Sequence, residues 1–167
     1  MATLKQAKVL DLQEGVMFCV PLVDNAGFGF GYVALARKGW GYLYDIFDHV
    51  SKIETPPDDI ESKPLIIQNL LGNDGQFLEA QYNPDPWRLL DGRVQSIRPV
   101  GQALFQIGSK VLDMSSGDEV KDPSIDAKAL PYKQYPLDNK YSFLVTAKLL
   151  RCDFRFNKEK RAYELVG

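Results

Sequence analysis

Most apolar positions along the chain alternate with polar or small ones, which is the period of a β-strand. Residues 16–23 combine β-branched and aromatic side chains and predict a first strand. A turn follows at 24–27, and the alternation resumes over about 28–37 and again over about 40–48. These segments predict a three-stranded antiparallel meander.

Turn-forming residues divide the middle of the chain. The run Gly72-Asn73-Asp74-Gly75 separates the apolar residues 65–71 from residues 76–82, and it predicts a β-hairpin. Asp91-Gly92 predicts a second turn. The polar, proline-containing segment 115–140 is expected to form a long loop.

The C-terminal part alternates again. Residues 141–149 predict a strand, and the alternative is a helix over 139–151 because Asp138 could cap its first turn. Residues 151–156 and 161–166 alternate on either side of a polar turn, which predicts a hairpin.

These elements indicate an α+β fold that is mainly β: a strongly bent antiparallel sheet or a small SH3-like barrel with additional C-terminal strands. A short helix near 2–12 is a further candidate. We expect residues 1–100 to form one β domain and residues 101–167 to form a C-terminal β extension packed on the same core. A chain of 167 residues hides roughly 70% of its extended surface on folding, so this core requires no disulfide or metal.

Charge is unevenly distributed along the chain, although the net charge is only −2. Residues 1–44 carry +1, residues 45–126 carry −8 and residues 127–167 carry +5. This balance weighs against a strongly basic nucleic-acid binder. One interpretation of the uneven distribution is an acidic face that meets a basic partner, because charge patches steer association. The alternative is ordinary solvated surface. The residues that we predict to bind the partner lie in two loops: Glu54, Asp58, Asp59, Glu61, Asp118, Glu119 and Asp122.

The remaining composition predicts a cytoplasmic protein without a cofactor or a membrane partner. No apolar run approaches the roughly 18 residues of a membrane-spanning helix, and the first twenty residues interleave charged and polar side chains. Two cysteines, Cys19 and Cys152, do not make a disulfide framework. His49 is the only histidine, so we expect no metal site built on a histidine pair.

The most distinctive motif is Gly27-Phe28-Gly29-Phe30-Gly31-Tyr32-Val33. In a strand, Gly27, Gly29 and Gly31 share one face and the three rings share the other. A phosphate-binding loop is disfavoured because no helix opens after the glycines. Two interpretations stay open: an RNA-recognition strand similar to the RNP1 octamer, and a structural strand whose glycine face permits close packing.

Catalytic signals are weak, and we predict that the protein is not an enzyme. Asp45 and His49 would share a strand face. The sequence also contains the residue types of a nucleophilic cysteine–histidine pair, Cys19 and His49. Cys19, however, lies among apolar neighbours, where a free cysteine usually behaves as a small buried hydrophobic residue.

The segment Gly15–Phe47 resembles a known family. The similar elements are the strand GVMFCVPL from residue 15, the strand GFGYV from residue 29 and the strand that ends in Ile46-Phe47-Asp48. Pro64-Leu65-Ile66-Ile67 and Trp87-Arg88-Leu89-Leu90 extend the similarity. Over about residues 14–100, the chain resembles the immunity protein 26 family of bacterial polymorphic toxin systems.

The resemblance implies a bacterial immunity protein that binds and neutralises a cognate toxin by occlusion, without catalysis. Such a protein needs a rigid scaffold and a complementary surface, in which a few buried aromatic or arginine side chains carry most of the affinity. We expect a toxin with a basic surface and no nucleic-acid partner. The alternatives are a nucleic-acid-binding β-module that uses Phe28, Phe30 and Tyr32, a small enzyme that uses Asp45 and His49, or a scaffold or assembly subunit. The oligomeric state stays open.

Overall fold

The computed structural model of the protein describes residues 12–37, 39–130 and 138–167. The expected helix near 2–12 therefore falls almost wholly outside the described residues. The strands are β1 Val16–Pro21, β2 Phe28–Arg37, β3 Gly41–Phe47, β4 Leu65–Gly72, β5 Arg88–Arg93, β6 Leu104–Ile107, β7 Lys110–Asp113, β8 Asp118–Glu119, β9 Asp153–Asn157 and β10 Ala162–Val166. Among the described residues, the α-helix is α1 Lys140–Leu150, and four 3₁₀-helices span Val23–Asn25, Ile60–Ser62, Asp74–Phe77 and Ala127–Ala129.

Five antiparallel strands form the central sheet, in the order β4-β3-β2-β1-β5. The predicted meander is confirmed as β1, β2 and β3, with Met17 opposite Tyr32 and Gly31 opposite Ile46. Strands β6, β7 and β8 form a smaller sheet, and β9 and β10 form a two-stranded hairpin. The mainly β, antiparallel class is confirmed. Within the described residues, the central sheet does not close into a barrel.

Both faces of the central sheet are buried, each in its own apolar cluster. We call them the helix face and the loop face. On the helix face, the strand residues pack with helix α1: Phe18, Val20, Val33, Tyr44 and Ile46 with Val145 and Leu149. On the loop face, they pack with the loop after β3 and with the small sheet: Met17, Cys19, Phe30, Tyr32, Leu43 and Phe47 with Ile60, Phe105 and Met114.

Aromatic rings fill the helix face. Phe18 stacks on Trp87 with ring centroids 5.0 Å apart, and Tyr44 and Phe77 meet both rings edge-on. The indole Nε1 of Trp87 donates a hydrogen bond to Ser142 Oγ at 3.1 Å, so the cluster is tied directly to α1. Edge-to-face and offset contacts of this kind add about 0.5–1.5 kcal/mol each beyond the burial of area.

The predicted strand over 141–149 is wrong, because this segment forms α1. The helix is buried on several sides, against the sheet and against the β9–β10 hairpin, so its apolar residues do not follow a single stripe. The alternative, a helix over 139–151 with Asp138 at its first turn, agrees with the structure: the backbone N–H of Lys140 donates to Asp138 Oδ1 at 3.0 Å. Arg151 ends the helix in the left-handed conformation, with φ of 59°.

Two predicted turns are also wrong. Asn73 accepts a hydrogen bond from the backbone N–H of Gly75 and caps the 3₁₀-helix Asp74–Phe77, so residues 76–82 do not return as a strand. Asparagine followed by acidic and glycine residues suits a helix cap as well as a hairpin. Strand β5 runs through Asp91-Gly92 because Arg93 pairs with Val16 of β1.

The polar segment 115–130 is irregular apart from β8 and the 3₁₀-helix Ala127–Ala129, as expected for a loop, whereas residues 131–137 of the expected loop lie outside the described residues. The C-terminal hairpin is confirmed as β9 and β10, with Tyr163 opposite Phe156. The division into units at residue 100 stays a prediction.

Candidate functional site

The glycine strand is β2, and its glycines permit close packing. A Cβ built on Gly31 would lie 2.7 Å from Phe18 Cζ and would collide with the backbone oxygen of Asp45. A Cβ on Gly29 would lie 2.9 Å from Leu149 Cδ1 of α1. Gly27 has φ of 112° and packs against the backbone of Ser51. The glycine face therefore lets β3 and α1 approach β2 closely.

The rings of the same strand point to the loop face. Phe30 and Tyr32 are buried there, and Phe28 is half-buried against the same cluster. Nucleic-acid modules stack bases on exposed aromatic rings of a sheet. Phe30 and Tyr32 are not exposed, so the packing interpretation of the motif is the one that the geometry favours.

Asp45 is the most elaborately bonded carboxylate of the sheet, and it is fully buried in β3. It accepts the Tyr32 hydroxyl at 2.7 Å and a two-point contact from the Arg98 guanidinium at 3.1 and 3.2 Å. Its Oδ1 also accepts the backbone N–H of Asn69 at 3.0 Å. A carboxylate taken out of water requires hydrogen-bond donors and a countercharge, and Asp45 has both.

The network fixes an irregularity in β4. Asn69 has φ of 58°, and the register between β3 and β4 shifts between Tyr44 and Ile46. The Asn69 side chain accepts a further hydrogen bond from Arg98 at 2.7 Å, so one guanidinium holds both Asp45 and the irregular residue. Burial, followed by the bond to Asp45, raises the pKa of Tyr32 to about 12. All these groups bond to one another, which is a structural arrangement rather than one poised for proton transfer to a substrate.

The sequence contained a signal for this network. Asp45 interrupts an otherwise apolar and aromatic strand, and an acidic residue in such a position requires a buried partner. The identity of that partner, Arg98, could not be read from the chain, because 53 positions separate the two residues.

The structure gives Cys19 the surroundings of a core residue rather than those of a nucleophile. Cys19 is completely buried in β1, and burial raises the pKa of its thiol to about 11. The thiolate is the reactive form of cysteine, so a raised pKa makes the group inert at neutral pH. His49 lies beside the ring of Phe30, with ring centroids 6.3 Å apart.

Thiol labelling tests this assignment. At pH 8 we expect a soluble maleimide or disulfide reagent to modify Cys152, which is half-buried, and to leave Cys19 unmodified until the protein is unfolded. Counting modified thiols by mass spectrometry, with and without denaturant, gives the result. Rapid modification of Cys19 in the folded protein would contradict its assignment as an inert core residue.

The first acidic loop, residues 54–61, is exposed, and three of its four acidic side chains form ion pairs or hydrogen bonds with nearby residues. Glu54 forms an ion pair with Arg88 of β5, and Asp59 lies 3.4 Å from Lys63 Nζ. Glu61 accepts the backbone N–H of Gln95 at 2.7 Å, which attaches the loop to the segment after β5. Asp58 is exposed, and no ion pair of its carboxylate occurs among the described residues.

The second acidic loop contains Asp118, Glu119 and Asp122, all exposed. Asp118 and Glu119 form β8 at the edge of the small sheet. Asp122 accepts hydrogen bonds from the Ser124 hydroxyl and backbone N–H, and these bonds lower its pKa. Its carboxylate thus remains charged over the physiological pH range.

The two acidic loops belong to elements that cover the same face of the central sheet. Ile60 lies inside the first loop. Phe105 belongs to β6 of the small sheet that carries the second loop, and Met114 directly follows β7 of that sheet. All three pack in the loop-face cluster. The helix α1 and the hairpin β9–β10, which belong to the basic C-terminal part, are associated with the helix face. Elements of the acidic middle of the sequence therefore cover the loop face, and elements of the basic C-terminal part cover the helix face.

Within the described ranges, no helix has both the length and the apolar character needed to cross a membrane. No group of three or more histidine, cysteine, aspartate or glutamate side chains in those ranges is arranged to hold a metal ion.

Comparison with known proteins gives a match to a family model. Residues 13–84 match the family model of Immunity protein 26, which confirms the predicted resemblance over that segment. The match covers less than half of the chain and runs from just before β1 to just after the 3₁₀-helix Asp74–Phe77. The search of curated proteins and the search of solved structures gave no significant match.

Proposed function

We propose that this protein, which carries an Immunity protein 26 segment, is a bacterial immunity protein that acts in the cytoplasm by binding a cognate toxin and occluding it. The observation that carries this proposal is the position of the matched segment. It contains four of the five strands of the central sheet and the first acidic loop. The family segment therefore supplies the scaffold together with an exposed charged surface.

Occlusion without catalysis is supported by the state of the reactive side chains. Asp45 is saturated by hydrogen bonds, and Cys19 is buried with a raised thiol pKa. A general base or nucleophile must reach its substrate, and these two groups do not reach the surface.

The direct experiment uses the gene beside the one for this protein. If that gene encodes a large protein with a C-terminal toxin domain, we expect expression of the domain to stop growth and co-expression of this protein to restore it. Purified protein should also bind an inactivated form of the domain. Failure to protect, together with failure to bind, would contradict the proposed function.

We further propose that the two acidic loops form the surface that attracts a basic toxin. Changes at the rim of an interface mainly alter the association rate and its salt dependence, whereas buried contacts set the dissociation rate. Loops on a rigid sheet are common positions for such residues. Asp58, Asp118 and Glu119 offer the sharpest test because they can be neutralised without breaking the Glu54 or Glu61 contacts described above.

The triple variant Asp58→Asn/Asp118→Asn/Glu119→Gln is expected to associate more slowly with the inactivated toxin domain, by roughly tenfold at low salt. The rate should also fall less steeply as salt is added, because fewer charges steer the encounter. Surface-plasmon kinetics at several salt concentrations measures both effects.

A matched control separates position from total charge. Glu79→Gln/Asp91→Asn/Asp153→Asn removes the same three negative charges from other exposed positions. We expect a smaller effect from this control than from the loop variant. Equal association rates for the two triple variants would mean that the loops are ordinary solvated surface.

A further inference from the structure

An open groove of about 850 Å³ lies between the loop after the 3₁₀-helix Asp74–Phe77, the start of α1 and the hairpin β9–β10. Tyr82, Phe156 and Tyr163 provide its aromatic surface, and Lys158, Arg161 and Asp138 provide its charged groups. Tyr82 lies inside the family-matched segment, whereas the other five residues lie in the C-terminal part. Neither acidic loop contributes to the lining.

The aromatic side chains of the groove are unusually exposed. Tyr82 is 64% exposed and Phe156 is 50% exposed, whereas most other aromatic rings among the described residues pack in or against the two clusters. Phe156 meets Tyr163 edge-on at 5.2 Å, and Tyr163 in turn packs 5.8 Å from Phe143 of α1. Tyr163 thus packs against the helix, and its neighbour Phe156 lines the groove with half of its surface exposed. Pre-positioned, half-exposed aromatic rings are typical of residues that dominate protein interfaces.

The charges around these rings are predominantly positive. The turn between β9 and β10 carries Lys158, Lys160 and Arg161 with one acid, Glu159. Lys160 lies 3.6 Å from Glu164, but Lys158 and Arg161 form no ion pair among the described residues.

The acidic residue of the groove does not neutralise these cations. Asp138 accepts the backbone N–H of Lys140 at 3.0 Å. Burial, followed by the negative charge of Asp138, raises the pKa of the Tyr163 hydroxyl. The Asp138 carboxylate is therefore engaged at the start of α1. Two cations are left beside an apolar surface, a combination that complements carboxylates flanking a large apolar side chain.

We infer that this groove docks a segment of the toxin in which an aromatic or large aliphatic side chain is flanked by acidic residues. This inference rests on the proposed function and adds a second contact surface to it. The apolar side chain packs between Tyr82 and Phe156, and the flanking carboxylates pair with Lys158 and Arg161. The acidic loops govern the encounter, whereas the groove holds the complex together.

Two groove variants test the inference with the inactivated toxin domain as the probe. Tyr82→Ala/Phe156→Ala removes the exposed rings and is expected to raise the dissociation rate by about tenfold or more. Lys158→Glu/Arg161→Glu reverses the charges and is expected to raise Kd by a similar factor. All four side chains are surface residues, and chemical denaturation checks that each variant remains folded.

Matched controls keep the measurement specific. Ile53→Ala shortens another side chain that is 64% exposed, and Lys110→Glu/Lys148→Glu makes the same change in net charge at exposed sites outside the groove. Groove variants that bind within about twofold of the controls would overturn the inference. If the wild-type protein itself does not bind the toxin domain, the proposed function fails, and this outcome is distinguishable from a groove that plays no part in binding.

Discussion

Replacing Arg98 with methionine is expected to lower the free energy of unfolding by about 3–5 kcal/mol, because the carboxylate of Asp45 then stays buried without its countercharge. Asn69, the irregular residue of β4, also loses the hydrogen bond that it accepts from the guanidinium. Equilibrium denaturation in urea, followed by tryptophan fluorescence, measures the change. A loss below about 1 kcal/mol would show that the network contributes no more than a surface ion pair.

Two comparisons sharpen this experiment. Arg88→Met removes another arginine that pairs with acids, but its partners Glu54 and Asp85 are exposed, so we expect a loss of at most about 1 kcal/mol. The double variant Asp45→Asn/Arg98→Met removes both charges together. Its loss in free energy of unfolding should be smaller than the summed losses of Asp45→Asn and Arg98→Met, by about 1–3 kcal/mol. The reason is that no isolated charge remains buried in the double variant.

Gly31→Ala is expected to destabilise the protein by about 3 kcal/mol or more, since the added methyl group meets atoms that cannot move independently. The backbone oxygen of Asp45 belongs to the paired strand β3, and the Phe18 ring lies 2.7 Å away in the packed helix face. The same denaturation experiment measures the loss.

Other glycines provide the controls for this substitution. Gly29→Ala should cost less than Gly31→Ala, because its closest neighbour is the end of the flexible Leu149 side chain. Gly92→Ala should be nearly neutral, since the added methyl group lies 3.7 Å from Met17 Sδ, an ordinary contact distance. Equal stabilities for the Gly31 and Gly92 variants would refute the account of β2 as a closely packed strand.

The strands of the meander were predictable because each is a short run rich in β-branched and aromatic residues, bounded by turn residues. Their burial is nearly continuous, since both faces of the sheet are covered. Helix α1 was not predictable, since Tyr141, Phe143, Val145, Ala147 and Leu149 alternate in sequence and are covered from more than one side in the structure. The local composition of Gly72–Gly75 also predicted a β-hairpin, whereas Asn73 caps a 3₁₀-helix there. In both segments, tertiary contacts selected one of two locally acceptable structures.

The candidate surfaces show the same limit. The charge counts and the two acidic loops are visible in the sequence, and the family segment was recognised from its strand motifs. The groove was not foreseen, because Tyr82 and Phe156 are brought together only by the packing of the hairpin near the start of α1. The Asp45–Arg98 contact likewise depends on the path of the chain after β5.

The packing of α1 on the sheet has a consequence for protein synthesis. Val23 donates its backbone N–H to Thr146, 123 positions further along the chain, and Val145 and Leu149 complete the helix face. At roughly 5–20 residues per second, the ribosome releases the family-matched segment several seconds before these residues emerge. The helix face of the nascent sheet stays uncovered throughout that interval, and the loop face also lacks Phe105 and Met114 at its start. We therefore expect truncated chains that end near residue 84 to require chaperones or to be degraded, and the sheet to become stable only after translation has passed α1.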